Sequence, residues 1–325
     1  MLSLRRGRVT AIVERRDDLE RLEVDGIACI AYPRLTGSVA VDDEVLVNVQ
    51  ARELALGSGG FDILYANLTR GLELEPDAGA HVMKLPYAPL QFATRHAEED
   101  DDLPSSVDGL PVVACSLHSQ VVPVCAALKG LHVVYVQVPG AALPVGLSDS
   151  VYALKQLGLV AATVGADACF GGDVDVVNVY SALLVARARH ADVVVCAIGP
   201  GIVGTATRFG HGAMTAALVT AATSQLGGRP VLALRLSAAD ERERHRGLSH
   251  HARSLLALTD ESVAAAWPAG APFEQPARAT TVDADGWRGA CAGLPLEHMG
   301  RGPDEDPWFF AAAFAAGRLA RDLVG

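Results

Sequence analysis

The chain has few lysines and carries a formal net charge of −11 over 325 residues, with a pI near 5.3. Binding of a nucleic acid relies on clustered basic residues that neutralise phosphates, and this acidic composition argues against it. No uncharged apolar stretch free of glycine and proline is long enough to span a bilayer, and the first residues, MLSLRRGRVTAIVERRDD, lack the apolar core of a signal peptide. We therefore expect a cytoplasmic protein that binds neither nucleic acids nor membranes.

The sequence also lacks any CxxC pair, so its cysteines have neither the spacing of a zinc site nor that of a redox motif. Two of them, Cys115 and Cys196, lie in apolar runs where a thiol behaves as a small hydrophobic group. We expect reduced cysteines, no disulfide framework and no structural metal. The six positions are Cys29, Cys115, Cys125, Cys169, Cys196 and Cys291.

Half of the residues are hydrophobic, which is enough for a large core in two unequal domains. Short segments rich in Val and Ile follow one another through residues 7–50, each ended by Gly, Pro or Asp, and this spacing predicts a small β-barrel. The acidic run HAEEDDDLPSS has the composition of a solvated linker. The sequence therefore predicts a β-rich domain over residues 1–100.

From residue 111 onward, apolar runs alternate with helical stretches, which is typical of a parallel sheet covered on both faces. The runs are PVVACSL, HVVYVQV, LVAATVG, DVVVCAIG and PVLALRL, and the helices are expected near 119–129, 148–157, 174–190, 211–226 and 249–260. Residues 264–300 give no clear pattern. The predicted fold class is thus α/β, a doubly wound and mostly parallel sheet over residues 101–325, preceded by a smaller barrel-like domain.

The chain ends on an Ala-rich segment, DPWFFAAAFAAGRLARDLVG, in which Asp306 can cap a helix and Pro307 can occupy its first position. Its small residues suit close packing against the body of the protein or against a second subunit. The aromatic residues Trp308, Phe309, Phe310 and Phe314 favour the second alternative. We expect a homo-oligomer closed by symmetry.

Ligands of open parallel sheets bind at the carboxyl ends of the strands, so the loops there are the candidate site. The stretch VVVCAIGPGIVGTATRFGHG passes from a strand into a glycine-rich loop, and its backbone amides and hydroxyls could bind an anion or a carbonyl group. It has no Walker A lysine, and Pro200 and a missing acidic residue break the dinucleotide pattern. The alternative is a tight connection whose glycines serve geometry alone. The predicted ligand-binding residues are Gly199, Gly201, Gly204, Thr205 and Thr207.

The loop GGDVDVVN offers Asp173 as a general base or ligand contact, with Gly171 and Gly172 beside it. The alternative is that Asp173 caps the following helix, a role that aspartate often fills. His118 ends the first apolar run, but no GxSxG motif accompanies it, and its neighbour Ser119 is not placed by the sequence to act with it. We predict Asp173 and His118 as catalytic candidates.

The stretch ADERERHRGLSHH gathers three histidines and a carboxylate. His245 and His250 are candidates for proton transfer near neutral pH, and Asp240, Ser249 and His251 are candidates for ligand binding. The spacing is neither HExxH nor a helical i, i+4 pair, so no metal site is predicted. The alternative is that Ser249 caps a helix and that the histidines are structural.

Taken together, the segments GAHVMKLPYAPLQ, LHSQ, GAALPVGLSDSV, FGGDVDVVN, GPGIVGTATRFG and GLSHH resemble an uncharacterised bacterial family, the domain-of-unknown-function family 3866. The resemblance spans nearly the whole chain and implies that the motif loops form one site. It implies no reaction and no cofactor.

The sequence favours a small-molecule enzyme of hydrolase or transferase type, with an anionic or carbonyl ligand at the strand-end loops. Hydride transfer is disfavoured because the dinucleotide pattern is incomplete. The alternative is a non-enzymatic module that senses a metabolite or docks a partner.

Overall fold

The computed structural model describes residues 2–55, 60–70, 74–75, 77–100 and 102–325. The chain divides into two compact units, Met1–Arg95 and His96–Gly325. Each unit has a hydrophobic core of its own.

Within its described residues, the first unit contains a closed five-stranded barrel, as the sequence predicts. The strands are β1 (Leu4–Arg15), β2 (Glu20–Val24), β3 (Ile27–Ala31), β4 (Glu44–Asn48) and β5 (Asp62–Asn67), with a separate hairpin of β6 (Val82–Lys84) and β7 (Phe92–Thr94) and two short helices, α1 (Pro33–Thr36) and α2 (Gln50–Glu53). The strand order of the barrel is β1-β2-β3-β5-β4. Buried and partly exposed residues alternate along β2 and β4, the period of two that places every second side chain in the core.

The second unit is built on an eight-stranded, all-parallel sheet over the described residues. The sheet strands are β8 (Pro111–Cys115), β9 (Val133–Val138), β10 (Ala162–Gly165), β11 (Val174–Asp175), β12 (Val193–Ile198), β13 (Arg229–Ala233), β16 (Ala264–Pro268) and β17 (Ala279–Val282), and β14 (Leu236–Ser237) and β15 (Gly247–Leu248) form a small hairpin beside it. The sheet order is β11-β10-β9-β12-β8-β13-β16-β17.

Helices cover both faces of this sheet, which confirms the doubly wound arrangement. Alternate residues of β8 point to opposite cores, Val112 and Ala114 to one and Val113 and Cys115 to the other. The helices are α3 (Val121–Ala127), α4 (Asp149–Gln156), α5 (Val179–Ala188), α6 (Thr215–Gln225), α7 (His250–Leu258), α8 (Trp287–Ala290) and α9 (Pro307–Asp322). Within the described ranges, no helix has the length and apolarity needed to cross a bilayer. All six cysteines are buried free thiols.

Two sequence expectations fail at the edge of the sheet. The helix expected at 174–190 begins only at Val179, because residues 174–175 pair in parallel with β10 as an added strand. The acidic run does not begin as a solvated linker either, since Ala97 is buried and the Glu98 carboxylate accepts a hydrogen bond from the Val177 amide. The region left unassigned at 264–300 supplies β16 and β17.

The terminal helix α9 packs against its own chain, so the argument for a homo-oligomer loses its basis. Phe309, Phe310 and Phe314 are buried in the core beside α3 and the sheet. A side chain at Gly317 would collide with the backbone of Val124, which shows how closely the two helices approach. The small residues therefore serve packing against the body, and oligomerisation stays an untested prediction.

Candidate functional site

Four histidines, His211, His245, His250 and His251, gather beside the carboxyl end of the sheet; we call them the histidine cluster. The His211 and His251 rings stack with centroids 3.8 Å apart, and the His250 and His251 centroids are 4.4 Å apart. The His245 centroid lies 4.7 Å from that of His250. Three of these residues were predicted as site residues, whereas His211 comes from the loop after β12.

Local structure fixes the position of each ring. Residues 204–211 form a small hairpin closed by a bridge between Gly204 and His211, and the Ser254 hydroxyl of α7 donates to the Arg208 carbonyl at 2.8 Å. Ser249 caps α7, as one sequence alternative predicted, and its hydroxyl accepts from the His251 amide at 3.2 Å. The hairpin is thereby held against the first turn of α7.

Hydrogen bonds determine which nitrogens of the cluster are free. The Nε2 atom of His211 lies 3.1 Å from the Arg208 carbonyl oxygen, which can only accept, so we assign the ring proton to Nε2 and a lone pair to Nδ1. That Nδ1 atom, Nε2 of His250 and Nδ1 of His251 are buried and have no hydrogen-bond partner among the described residues. Buried polar atoms are normally paired, so three unpaired ones in one place call for an explanation.

Burial and nearby arginines keep the cluster neutral. Desolvation, followed by the charges of Arg235 and Arg242, lowers the pKa of His245 to about 3. Desolvation and the neighbouring His211 lower the pKa of His251 to about 2, and desolvation is also the largest cause of the lowered pKa values of His211 and His250. At neutral pH the imidazoles are therefore uncharged and carry free lone pairs.

Asp240, which the sequence predicted as a ligand-binding residue, forms ion pairs with three arginines in a buried network. Its carboxylate accepts hydrogen bonds from Arg235 at 2.8 Å, from Arg242 at 2.9 Å and from Arg301 at 3.4 Å. Burial raises the pKa of this carboxyl, but the hydrogen bonds and charge of Arg242 outweigh that effect and hold it well below its usual range. Asp306 joins the network through Arg301 and Ser237 rather than capping α9 with its side chain.

A cavity of about 340 Å³ opens beside the cluster; we call it the arginine cavity. Its lining consists of Ala206, Arg208, Arg244, His250, Arg253 and Ser254. The three arginines make no ion pair with any carboxylate in the described part of the chain. A second cavity, of about 430 Å³, shares Arg253 and is otherwise lined by Ser237, Ala238, Arg246, Gly247, Leu248, Phe273 and Glu274.

The glycine-rich loop after β12 supports this arrangement mainly through its backbone. A side chain at Gly199 would collide with the Ala142 carbonyl, and Gly201 has a φ of +76°. The Thr205 and Thr207 hydroxyls lie 2.8 Å apart and bond to the backbone of Gly210 inside the hairpin. These features fit the alternative that the loop is a tight connection whose glycines serve its backbone geometry. Anion binding by the loop amides stays a prediction.

Asp173 does not join the histidine cluster. Its carboxylate accepts from Lys155 at 2.5 Å and from the backbone and hydroxyl of Thr163, so it ties β10 to α4. Asp173 directly precedes the edge strand β11, which lies three strand spacings from β12, about 14 Å. The capping alternative is wrong, because Asn178 caps α5, and a catalytic role of Asp173 stays a prediction. Gly171 and Gly172 belong to the same turn, where a side chain at Gly172 would meet the Thr163 carbonyl.

His118 is likewise separate and has both ring nitrogens occupied. Its Nδ1–H donates to the Ile198 carbonyl at 3.2 Å, and its Nε2 accepts from the Ser148 hydroxyl at 2.7 Å. A serine and histidine at this distance resemble a nucleophile and its base. Ser148, however, is 2% exposed and already accepts the Val151 amide as the cap of α4. We interpret the pair as a structural link.

Sequence reasoning missed His211 and the three cavity arginines as site residues. Arg208 and His211 stand within the glycine-rich stretch that the sequence singled out, but only its glycines and threonines were chosen as candidates. The missing signal was the pairing of that hairpin with α7.

The two units and this polar site define an α/β protein whose strand-end loops join uncharged imidazoles to unpaired guanidinium groups. The chain belongs to the family described as Protein of unknown function (DUF3866), whose model matches residues 28–317. This match confirms the resemblance seen in the motifs. Among curated proteins, none is significantly similar to the chain.

Proposed function

We propose that the protein is a small-molecule enzyme that binds an anionic substrate in the arginine cavity and carries out a hydrolysis or a group transfer beside the histidine cluster. The observation that carries this proposal is the convergence of Arg208, Arg244 and Arg253 on one cavity without carboxylate partners in the described residues.

The charge of the cavity is opposite to that of the protein. The chain has a net charge of −11, yet these three guanidinium groups face a common space. Guanidinium groups bind carboxylates and phosphates through paired, charge-assisted hydrogen bonds. Unpaired arginines in an acidic protein therefore favour an anionic ligand.

The size of the cavity favours a small ligand. Its volume of about 340 Å³ falls at the lower end of the range of ligand pockets, about 300 to 1,000 Å³. A metabolite with one or two anionic groups fits this space better than a polymer does.

The arginine cavity and the histidine cluster supply different chemical groups. The arginines supply the positive charge, whereas the histidines are neutral and offer lone pairs. His250 belongs to both sets, since it lines the cavity and contacts the other rings. A substrate bound through its anion would thus have its reactive part next to uncharged imidazoles, an arrangement suited to hydrolysis or group transfer.

The proposal is tested first by binding. Calorimetric titrations with inorganic phosphate, pyrophosphate and a dicarboxylate should show binding by the chelator-treated protein. Arg244→Gln and Arg253→Gln should each weaken it about tenfold to a hundredfold, because a hydrogen bond to a charged group contributes about 1.5 to 3 kcal/mol. Arg187→Gln is the matched control, since this exposed arginine of α5 pairs with Asp108 away from the cavity.

Turnover is tested next, with a panel of phosphate esters, carboxylic esters and amides that carry an anionic group. Hydrolysis or transfer that is lost in Arg253→Gln and retained in Arg187→Gln would support an enzyme. Anion binding without turnover of any member would favour the sensing alternative. Equal binding by all variants would contradict the assignment of the cavity.

A further inference from the structure

We propose that His211, His250 and His251 bind one divalent transition metal ion of the zinc class. One ring nitrogen from each of the three residues lies within 4.8 Å of the others. This proposal replaces the expectation of no metal site that the sequence spacing favoured.

The unpaired nitrogens are the first argument. Nδ1 of His211, Nε2 of His250 and Nδ1 of His251 are all buried and lack hydrogen-bond partners in the described residues. His211 and His251 are 7% and 6% exposed, so bulk water does not readily satisfy them. One bound cation would accept the lone pairs of all three nitrogens. No side chain of the described residues forms a hydrogen bond with them.

The orientation of His211 is the second argument. Its Nε2–H donates to the Arg208 carbonyl, which leaves Nδ1 deprotonated in a ring that stacks on His251. Histidines that bind metals commonly donate their second ring proton to a carbonyl or carboxylate in this way, because the contact fixes both tautomer and direction.

Binding requires a small rearrangement of the rings. Zinc–nitrogen bonds of about 2.1 Å place tetrahedral ligands about 3.4 Å apart, closer than the 4.8 Å limit found here. The His211 and His251 rings, stacked with 23° between their planes, must rotate until both nitrogens point at the ion. We therefore expect the metal to separate this stack.

The donor set selects the class of metal. Three imidazoles suit zinc, cobalt, nickel or copper, whereas magnesium and calcium prefer oxygen ligands. The buried carboxylate of Asp240 is held by Arg235, Arg242 and Arg301. These arginines weaken the attraction for a cation, so we expect an affinity below that of structural zinc sites.

Three protein ligands leave a fourth position open, as in catalytic zinc sites. His250 lines the arginine cavity, so we expect that position to face the space assigned to the anion. The metal site itself rests on the histidine geometry, and only its role in catalysis rests on the proposed function. In that role the ion would supply an electrophile beside the bound anion.

The test uses the untagged 325-residue chain, stripped with a chelator and titrated with Zn²⁺ by calorimetry. We expect one ion per chain, and Co²⁺ should give the visible absorption of a tetrahedral site. His211→Asn, His250→Gln and His251→Gln should each weaken binding by about a hundredfold or more, since loss of even an outer partner of a ligand costs about 10–100-fold. The control is His132→Gln, an exposed histidine outside the cluster, which should bind as the wild type does.

Each outcome decides the proposal. Absence of Zn²⁺ binding by the folded wild type, or equal binding by His250→Gln, would overturn it. His250 is partly exposed to solvent, so we expect its substitution to disturb folding least. Circular dichroism checks that each variant is folded. Phosphate binding by the stripped protein without Zn²⁺ binding would contradict the metal proposal and support the proposed function. Zn²⁺ binding without anion binding would support the metal proposal and contradict the proposed function.

Discussion

His118 and the histidine cluster are two sets of buried or partly buried imidazoles in the same unit, and they differ in their hydrogen bonds. Desolvation lowers the pKa of His118 to about 4, against about 3 for His245. Yet both nitrogens of His118 are paired, while three nitrogens of the cluster are not. A lowered pKa reports burial in both places, and only the unpaired nitrogens distinguish a candidate site from a structural link.

The largest expected effect tests the ionic network that borders the cluster. Asp240→Ala leaves the buried charge of Arg235 without its 2.8 Å partner. Removing one member of a buried ion pair costs about 3 to 5 kcal/mol, so urea unfolding should show a loss of that size. The control is Asp304→Ala, whose exposed carboxylate pairs with Arg288 and should cost less than about 1 kcal/mol. Equal losses would show that the network does not stabilise this region.

The next prediction concerns how the contribution of the paired histidine, His118, to stability depends on pH. The pKa of His118 in the folded protein is about 4, below the ordinary 6.5, so the fold favours the neutral ring. Its contribution to the free energy of unfolding is complete above pH 6.5 and is lost as the pH falls to 4. At about 1.4 kcal/mol per pKa unit, the loss is about 3 kcal/mol. Between neutral pH and pH 4, the difference in unfolding free energy between the wild type and His118→Gln should shrink by this amount. A difference that does not change with pH would contradict the lowered pKa of His118.

A matched pair of leucine substitutions tests the comparison at neutral pH. His118→Leu removes two hydrogen bonds and should destabilise the protein by about 2 kcal/mol. His251→Leu removes a side chain with no hydrogen bond in the described residues, so its stability should change by less than about 1 kcal/mol, in either direction. Thermal unfolding measures both. A larger loss in His251→Leu would mean that the cluster is structural.

The smallest effect concerns the hairpin that carries His211. Thr205→Val removes the hydroxyl that contacts Thr207 and Gly210, and should cost about 0.5 to 1.5 kcal/mol of stability. If the loop only positions His211 and Arg208, phosphate affinity should change little. A loss of affinity without a loss of stability would instead support a direct role of the hydroxyl in binding.

Much of the fold is predictable because it depends on local patterns. The valine-rich runs become β8, β9, β10, β12 and β13, since a strand buried on both faces must be apolar throughout. The closely spaced Val- and Ile-rich segments of the first fifty residues, each ended by a turn residue, indicated the barrel. The errors lie where the signal is short: β11 has only two residues, and Asp173 resembled the cap of a helix that would begin there.

The sequence by itself determined the two-unit architecture, the parallel sheet and the region of the polar loops, because apolar periodicity and turn residues act over a few positions. Only the tertiary structure decided which polar residues meet. Asp173 pairs with Lys155 near the edge, Asp240 is held by arginines, and His211 reaches His251 across forty positions of chain. Such contacts depend on strand order and on how one hairpin packs against one helix, and neither leaves a pattern in the spacing of the residues involved.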